Sequence, residues 1–152
     1  MLFFGYSSEM NLRYSIITPV RNEEAYIEKT ISSVISQTIK PVEWVIVNDG
    51  SRDNTGTIID QYAYNYYWIK AVHRKNRGFR QAGVGVIEAF YDGFNALECD
   101  DYDFIVKLDG DLSFDKYYFE RCLNYFRHNT KLGIGGGDIY YCENKKKVRE
   151  KN

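Results

Sequence analysis

The sequence predicts an α/β fold, a mainly parallel sheet with helices packed on both of its faces. Three observations predict it. Short β-branched apolar runs alternate along the chain with stretches whose apolar residues recur at helical spacing. Polar clusters follow the first, second and fourth of those runs, where the loops of a parallel sheet would emerge. No internal repeat or low-complexity linker interrupts the alternation, so one sheet accounts for it. Right-handed crossovers then fix most of the topology.

Each element has a local reason. Tyr14–Val20 (YSIITPV) is a β-branched run and reads as a buried strand. In the following NEEAYIEKTISSVISQ, Ile27, Ile31, Val34 and Ile35 share one helical face, with acidic residues in the first turn. Glu43–Asp49 (EWVIVND) is a second strand, stopped by Asp49-Gly50. The polar loop GSRDNTG leads into a helix reaching about Tyr67, and Trp68–His73 is a third strand. Gln81–Leu97 is helical, with Val86, Phe90, Gly93, Phe94 and Leu97 in line. Tyr102–Leu108 (YDFIVKL) is a fourth strand, ended by Asp109-Gly110-Asp111. Ser113 is placed to cap a last helix carrying Phe119, Cys122, Leu123 and Phe126 on one side. LGIGGGDIYYC reads as a fifth strand, its glycines marking a bulge or a close backbone approach.

Composition narrows the function classes. With 152 residues, 44% hydrophobic and 27% charged side chains, the chain has the make-up of one globular domain, not of a disordered segment. A net charge of −1 lacks the basic excess of a nucleic-acid binder, so no nucleic-acid partner is expected. No apolar run approaches the roughly 18 residues that span a bilayer, and the opening MLFFGYSSEMNLRY lacks the features of a signal peptide. Cys99, Cys122 and Cys142 form no CxxC, and the two histidines, His73 and His128, complete no zinc motif; a reducing, cytoplasmic setting follows. The expected layout is an N-terminal extension over 1–11, one domain over 12–142 and a charged tail over 143–152. That tail holds five basic side chains against two acidic and is expected to fray.

The chemistry is expected where TPVRNEE, VNDGSRD and LDGDLSF leave their strands, because open α/β sheets bind ligands at strand carboxyl ends, near the point where strand order reverses. With order 3-2-1-4, all three clusters face one crevice. Asp109 and Asp111 put two carboxylates around a glycine, a pattern that can hold Mg²⁺ or Mn²⁺ while water and phosphate oxygens fill the remaining positions. An EF-hand starting at Asp109 fails, because Phe114 stands where the sharp turn demands glycine. An aspartyl-phosphate reading of Asp109 also fails, because the motif is on the fourth strand and too little chain follows it. Asp49 ends the second strand, where nucleotide folds place an acidic residue on a ribose or base edge. Lys75, Arg77 and Arg80 make a basic loop after the third strand, suited to a diphosphate or nucleobase. The glycines of Gly83-Val84-Gly85 read as helix–sheet packing, not as a dinucleotide fingerprint.

Taken together, SIITPVRNEEAYIEKTISSVISQT, WVIVNDGSRDNT and FIVKLDGDLSF resemble glycosyltransferase family 2, in the family's order and spacing from about residue 12 to residue 140. The resemblance implies a GT-A fold, a Rossmann-like three-layer sandwich, and transfer of a sugar from a nucleotide-sugar to an acceptor with inversion. It implies that Thr18, Pro19, Arg21 and Glu23 line the nucleotide pocket, that Asp49 contacts the base or ribose, and that Arg80 helps hold the nucleobase. Asp109 and Asp111 would be the DxD pair, Asp111 on a divalent metal (Mg²⁺ or Mn²⁺) and Asp109 on the ribose or metal. The implied partners are a UDP-, GDP- or dTDP-sugar and an acceptor that is a glycan, lipid or protein. Two features depart from the family: the loop after the third strand reads RQAGVG instead of continuing toward ARNxG, and the chain stops soon after the fifth strand. The expectation is therefore a donor-binding half, truncated at its C-terminus. The catalytic base would lie beyond Asn152 and not at Asp138, a longer form would associate with membranes, and the uncovered apolar surface would favour self-association. The alternative is a non-catalytic nucleotide-sugar-binding or interaction domain; donor hydrolysis separates the two.

Overall fold

The computed structural model describes residues 12–76, 84–143 and 146–149. Four strands, β1 (Tyr14–Val20), β2 (Glu43–Asn48), β3 (Ile69–His73) and β4 (Phe104–Lys107), form one sheet in the order β3-β2-β1-β4. All three pairings are parallel, with Ile16 opposite both Trp44 and Val106. The helices are α1 (Ile27–Ile35), α2 (Thr55–Asn65), α3 (Val84–Asn95) and α4 (Tyr118–His128). Strands covered on both faces must be apolar throughout, and β2 is buried at every residue.

Alternation along the strands divides the core. Ile16, Val20, Trp44 and Ile46 meet Ile27, Ile31 and Val34 of α1, Ile59 of α2, and Phe119 and Leu123 of α4. On the opposite face, Val45 and Val47 meet Ala89 of α3. α1, α2 and α4 therefore cover one side and α3 the other, which is the expected three-layer sandwich. Trp44 anchors the larger core: its indole Nε1 donates to Thr18 Oγ1 at 2.8 Å, and its ring stacks on Trp68 at 6.4 Å.

Four expectations change in detail. α3 buries Gly85, Ala89 and Gly93, whereas Val86 and Phe94 on the expected face are exposed. Small residues four apart let the helix backbone approach the sheet; a Cβ on Gly93 would stand 2.6 Å from Ile17 Cγ2 and 2.8 Å from Val47 Cγ2. Ser113 does not cap α4, which begins at Tyr118. Its terminal amides are taken up by Asp115 Oδ1, which accepts from Tyr117 N at 2.9 Å, and by Gln37 Oε1, which accepts from Phe119 N at 3.0 Å. The fifth strand is confined to β5 (Tyr140–Glu143), antiparallel to β6 (Lys146–Arg149) in a separate two-stranded sheet. The glycines of residues 133–137 offer no side chains to a sheet, and the strand forms only after them. The tail expected to fray supplies β6, and Arg149 pairs with Asp138.

Gly93→Val should destabilise the fold by about 1–3 kcal/mol through overpacking against β1 and β2, read as a lower midpoint in urea or thermal unfolding. An unchanged midpoint would mean that α3 can lift off the sheet without cost.

Candidate active site

The polar clusters converge where β1 lies between β2 and β4. Chain direction through the sheet reverses there, so the loops leaving β1 and β4 diverge and open a crevice at the strand carboxyl ends.

The loops after β1 and β2 are bonded to each other reciprocally. Asn22, in the left-handed region at φ 55°, donates from its amide to Ser51 Oγ at 2.9 Å and accepts at Oδ1 from Arg52 N at 2.8 Å. Glu23 N donates to Thr55 Oγ1 at 2.8 Å, and Glu24 Oε2 accepts from Asn54 N and Nδ2, both at 2.9 Å. Glu24 thus braces the entry to α2 instead of only favouring the start of α1. Asp53 accepts from Thr55 N and Glu24 N. Partial burial works against its ionisation, but these bonds and the Thr55 hydroxyl outweigh it and hold the carboxyl below its usual range. Gly50, at φ 67°, closes the turn against Asn76, whose Cα a Cβ would approach to 2.5 Å.

Asp49 is the centre of the cluster at the ends of β1 and β2. Its amide donates to Val20 O at 2.8 Å, fixing the end of β2 to the end of β1. Arg21 Nη1 donates to the Asp49 carbonyl at 2.6 Å and lies 3.8 Å from its carboxylate, while Nη2 reaches Asn76 Oδ1 at 3.1 Å. Arg74 takes the carboxylate itself, Nη1 to Oδ1 at 2.7 Å. Beneath them, Asn48 Oδ1 accepts from Ser51 N, and its Nδ2 lies 3.1 Å from His73 Nδ1.

On the other side of the crevice, the turn carrying Asp109 and Asp111 is set by α1. Thr30 is fully buried, and its hydroxyl lies 2.8 Å from both the Gly110 and Leu112 carbonyls. Gly110 packs on Val20, where a Cβ would stand 2.4 Å from Cγ1. Gln37 Nε2 donates to Asp115 O at 2.8 Å, so one buried side chain holds both the loop and the start of α4. Asp109 and Asp111 are exposed, and Lys107 pairs with Asp109. Among the described residues no group of three His, Cys, Asp or Glu side chains could enclose a metal ion. Two exposed carboxylates on a glycine turn do fit a hard cation that takes its other ligands from water and phosphate.

The expected site residues are thus distributed unevenly. Arg21, Glu23 and Asp49 are joined through the loops, and Asp109 and Asp111 stand on the facing turn. Pro19 is half-buried beside them, while Thr18 is fully buried with its hydroxyl committed to Trp44, leaving only its backbone to line a pocket. Arg80 lies outside the described residues. Sequence reading passed over Arg74 in favour of Lys75, Arg77 and Arg80. Its place comes from the strand register: Asn48 pairs with His73, so residue 74 falls beside residue 49.

The model of glycosyl transferase family 2 matches residues 15–152. The chain belongs to this family. The uncharacterized glycosyltransferase EpsJ of Bacillus subtilis is 37% identical over 91 residues, covering 58% of this chain and 26% of EpsJ. Among solved structures, Staphylococcus aureus TarS 1–349 superposes with TM-score 0.62 at 22% identity, over 78% of this chain and 33% of that one; it has also been solved in complex with UDP-GlcNAc. The mannosyltransferase PcManGT from Pyrobaculum calidifontis, in complex with GDP-Man and Mn²⁺, gives TM-score 0.59 at 18% identity, over 75% of this chain and 32% of that one. The fold is of the GT-A type, and the chain spans about a quarter to a third of the length of these family relatives and structural neighbours.

The Asp53 geometry sets a pH dependence. A carboxyl held lower in the folded state contributes stability above its unfolded value, about pH 4, and loses it as pH falls through the folded value. Asp53→Asn should therefore be less stable than wild type near neutrality, with the two converging as pH falls through the folded value of Asp53, as chemical unfolding across pH would measure.

Proposed function

We propose that this chain is the donor-binding part of a glycosyltransferase that moves a sugar from a nucleotide-sugar to an acceptor with inversion. One observation carries the reading: strand order reverses at β1, and the Asp49–Arg21 cluster and the Asp109–Asp111 turn both follow the carboxyl ends of strands at that reversal. Nucleotide-sugar complexes of TarS and PcManGT support a donor of this class; they carry UDP-GlcNAc and GDP-Man, and a dTDP-sugar stays a candidate from the sequence resemblance.

In this reading Asp49 accepts from a base or ribose donor group, and Arg21 keeps its backbone in place. Asp109 and Asp111 would hold a divalent cation, Asp111 most directly; when bound, it neutralises the diphosphate as that group leaves. Thr30 and Gly110 keep the two carboxylates at the turn, so little reorganisation is needed as charge develops. Arg80 remains a candidate for the nucleobase side. The acceptor is a glycan, lipid or protein hydroxyl, and its deprotonation is assigned to no residue described here. The donor chemistry points to the cytoplasm; among the described residues no helix is long and apolar enough to cross a membrane.

An apolar groove of about 610 Å³ runs between Phe90 and Phe94 of α3, the outer edge of β4 and the segment around Ile134. Such a surface favours self-association, and sedimentation at rising concentration should show species larger than a monomer. Monomer throughout would remove that part of the reading.

The donor site is tested by thermal unfolding with UDP, GDP and dTDP, each with and without Mn²⁺, on wild type and Asp49→Ala. A ligand at 100 times its Kd adds about 2.7 kcal/mol, or roughly 5–10 °C for a chain of this size. One nucleotide should shift the wild type, more with Mn²⁺, and fail to shift the variant. No shift with any nucleotide would overturn the assignment.

A further inference from the structure

We infer that Arg74 is a positioning residue that orients the Asp49 carboxylate for the nucleotide and ties it to α3; this rests on the nucleotide reading of the site. The Arg74 amide donates to Asn48 O at 2.9 Å, extending the β2–β3 ladder by one residue and placing its side chain beside Asp49. The guanidinium reaches acceptors from two elements. Nη1 donates to Asp49 Oδ1 at 2.7 Å, Nε lies 2.7 Å from Asp92 Oδ2, Nη2 lies 3.3 Å from Glu88 Oε2, and Nη1 lies 3.4 Å from Gly85 O. Gly85, Glu88 and Asp92 are spaced to share one face of α3.

Arg74 and Arg21 divide the work. Arg21 donates to the backbone carbonyl of Asp49 and stands 3.8 Å from its carboxylate, whereas Arg74 holds the carboxylate oxygen directly. Both sides of the Arg74–Asp49 pair are largely buried, at 17% and 13% side-chain exposure, so water screens the pair less than it screens the Glu88 and Asp92 contacts, where the carboxylates are 46% and 48% exposed. Asp49, Glu88 and Asp92 would lose a shared cation without Arg74, and the Asp49 carboxylate would lose its 2.7 Å bond to Nη1, so more of its ordering would fall to nucleotide binding at the expense of affinity. A lysine cannot replace it, because one ammonium lacks the planar fork that spans Asp49 and α3 together.

The test compares wild type, Arg74→Gln, Arg74→Lys and the Glu88→Gln/Asp92→Asn double variant. Each is measured for its unfolding midpoint without ligand and for its Kd for whichever of UDP, GDP or dTDP shifts the wild type. Weakening of nucleotide binding by about tenfold in Arg74→Gln is expected, with no further loss when Arg74→Gln is added to Asp49→Asn. Arg74→Lys should bind nearly as weakly while folding better, which keeps the test readable if Arg74→Gln is too unstable to purify. The double variant should bind less weakly than Arg74→Gln, because Arg74 still holds Asp49. A lower midpoint with unchanged Kd would show a purely structural role and overturn the inference while leaving the donor site intact. A wild type that binds none of the three nucleotides would overturn the donor reading and this inference with it.

Discussion

The structure depends on β1 being hydrogen-bonded on both sides, to β2 along its length and to β4 over its first residues. A parallel sheet with right-handed crossovers can place β2 and β4 on opposite sides of β1 only if the chain changes direction across the sheet. That reversal puts α1 and α2 on one face and α3 on the other, and separates the loops that leave β1 and β4. The crevice is therefore a consequence of topology, and the polar residues are placed in it by the strand ends that carry them.

A crevice between two loops needs both walls held, and polar side chains of α1 and of the turn just after it hold one of them. Thr30, Ser33 and Gln37 are each hydrogen-bonded to the segment from Gly110 to Phe119, and Gln37, accepting from Phe119 N, takes the place of the side-chain cap that α4 lacks. Because Thr30 and Gln37 are buried, losing these bonds would leave backbone groups unsatisfied away from water, and that cost keeps the turn in one arrangement. The opposite wall is held by the exchange among Asn22, Ser51, Arg52, Glu24 and Asn54, and by the arginines on Asp49. The buried residues of α1 thus serve the core with Ile27, Ile31 and Val34 and the site with Thr30, on neighbouring stripes of one helix.

Most of the sheet was legible because strands buried on both faces leave continuous β-branched runs, and YSIITPV, EWVIVN and FIVK are such runs. α1 was legible through Ile27, Ile31 and Val34. On α3 the packing role of Gly85 and Gly93 was legible, but Val86 and Phe94 were wrongly set on the same face, because the contact uses Gly85, Ala89 and Gly93, residues whose hydrophobicity is low but whose small size allows close approach. β5 was legible only as a strand within LGIGGGDIYYC, and β6 not at all: a two-stranded pair of four residues each is set by which segments meet, and LGIGGGDIYYC carries no pattern that separates a central strand from a peripheral one. At the site, Asp49, Asp109 and Asp111 stood out as carboxylates at strand ends beside glycine. Arg74 did not, since an arginine after a strand is as often a solvated loop residue.

The sequence by itself determined the α/β class, the order of the elements, the family and the three polar clusters at the strand ends, because periodicity and local turn chemistry are written residue by residue. Tertiary structure decided what each side chain does. It turned Thr18 into a core partner of Trp44, gave Gln37 the start of α4, set Glu24 against Asn54 and placed Arg74 on Asp49. These are contacts between residues far apart in the chain, and their strength comes from burial, which exists only once the sheet has brought the strand ends together.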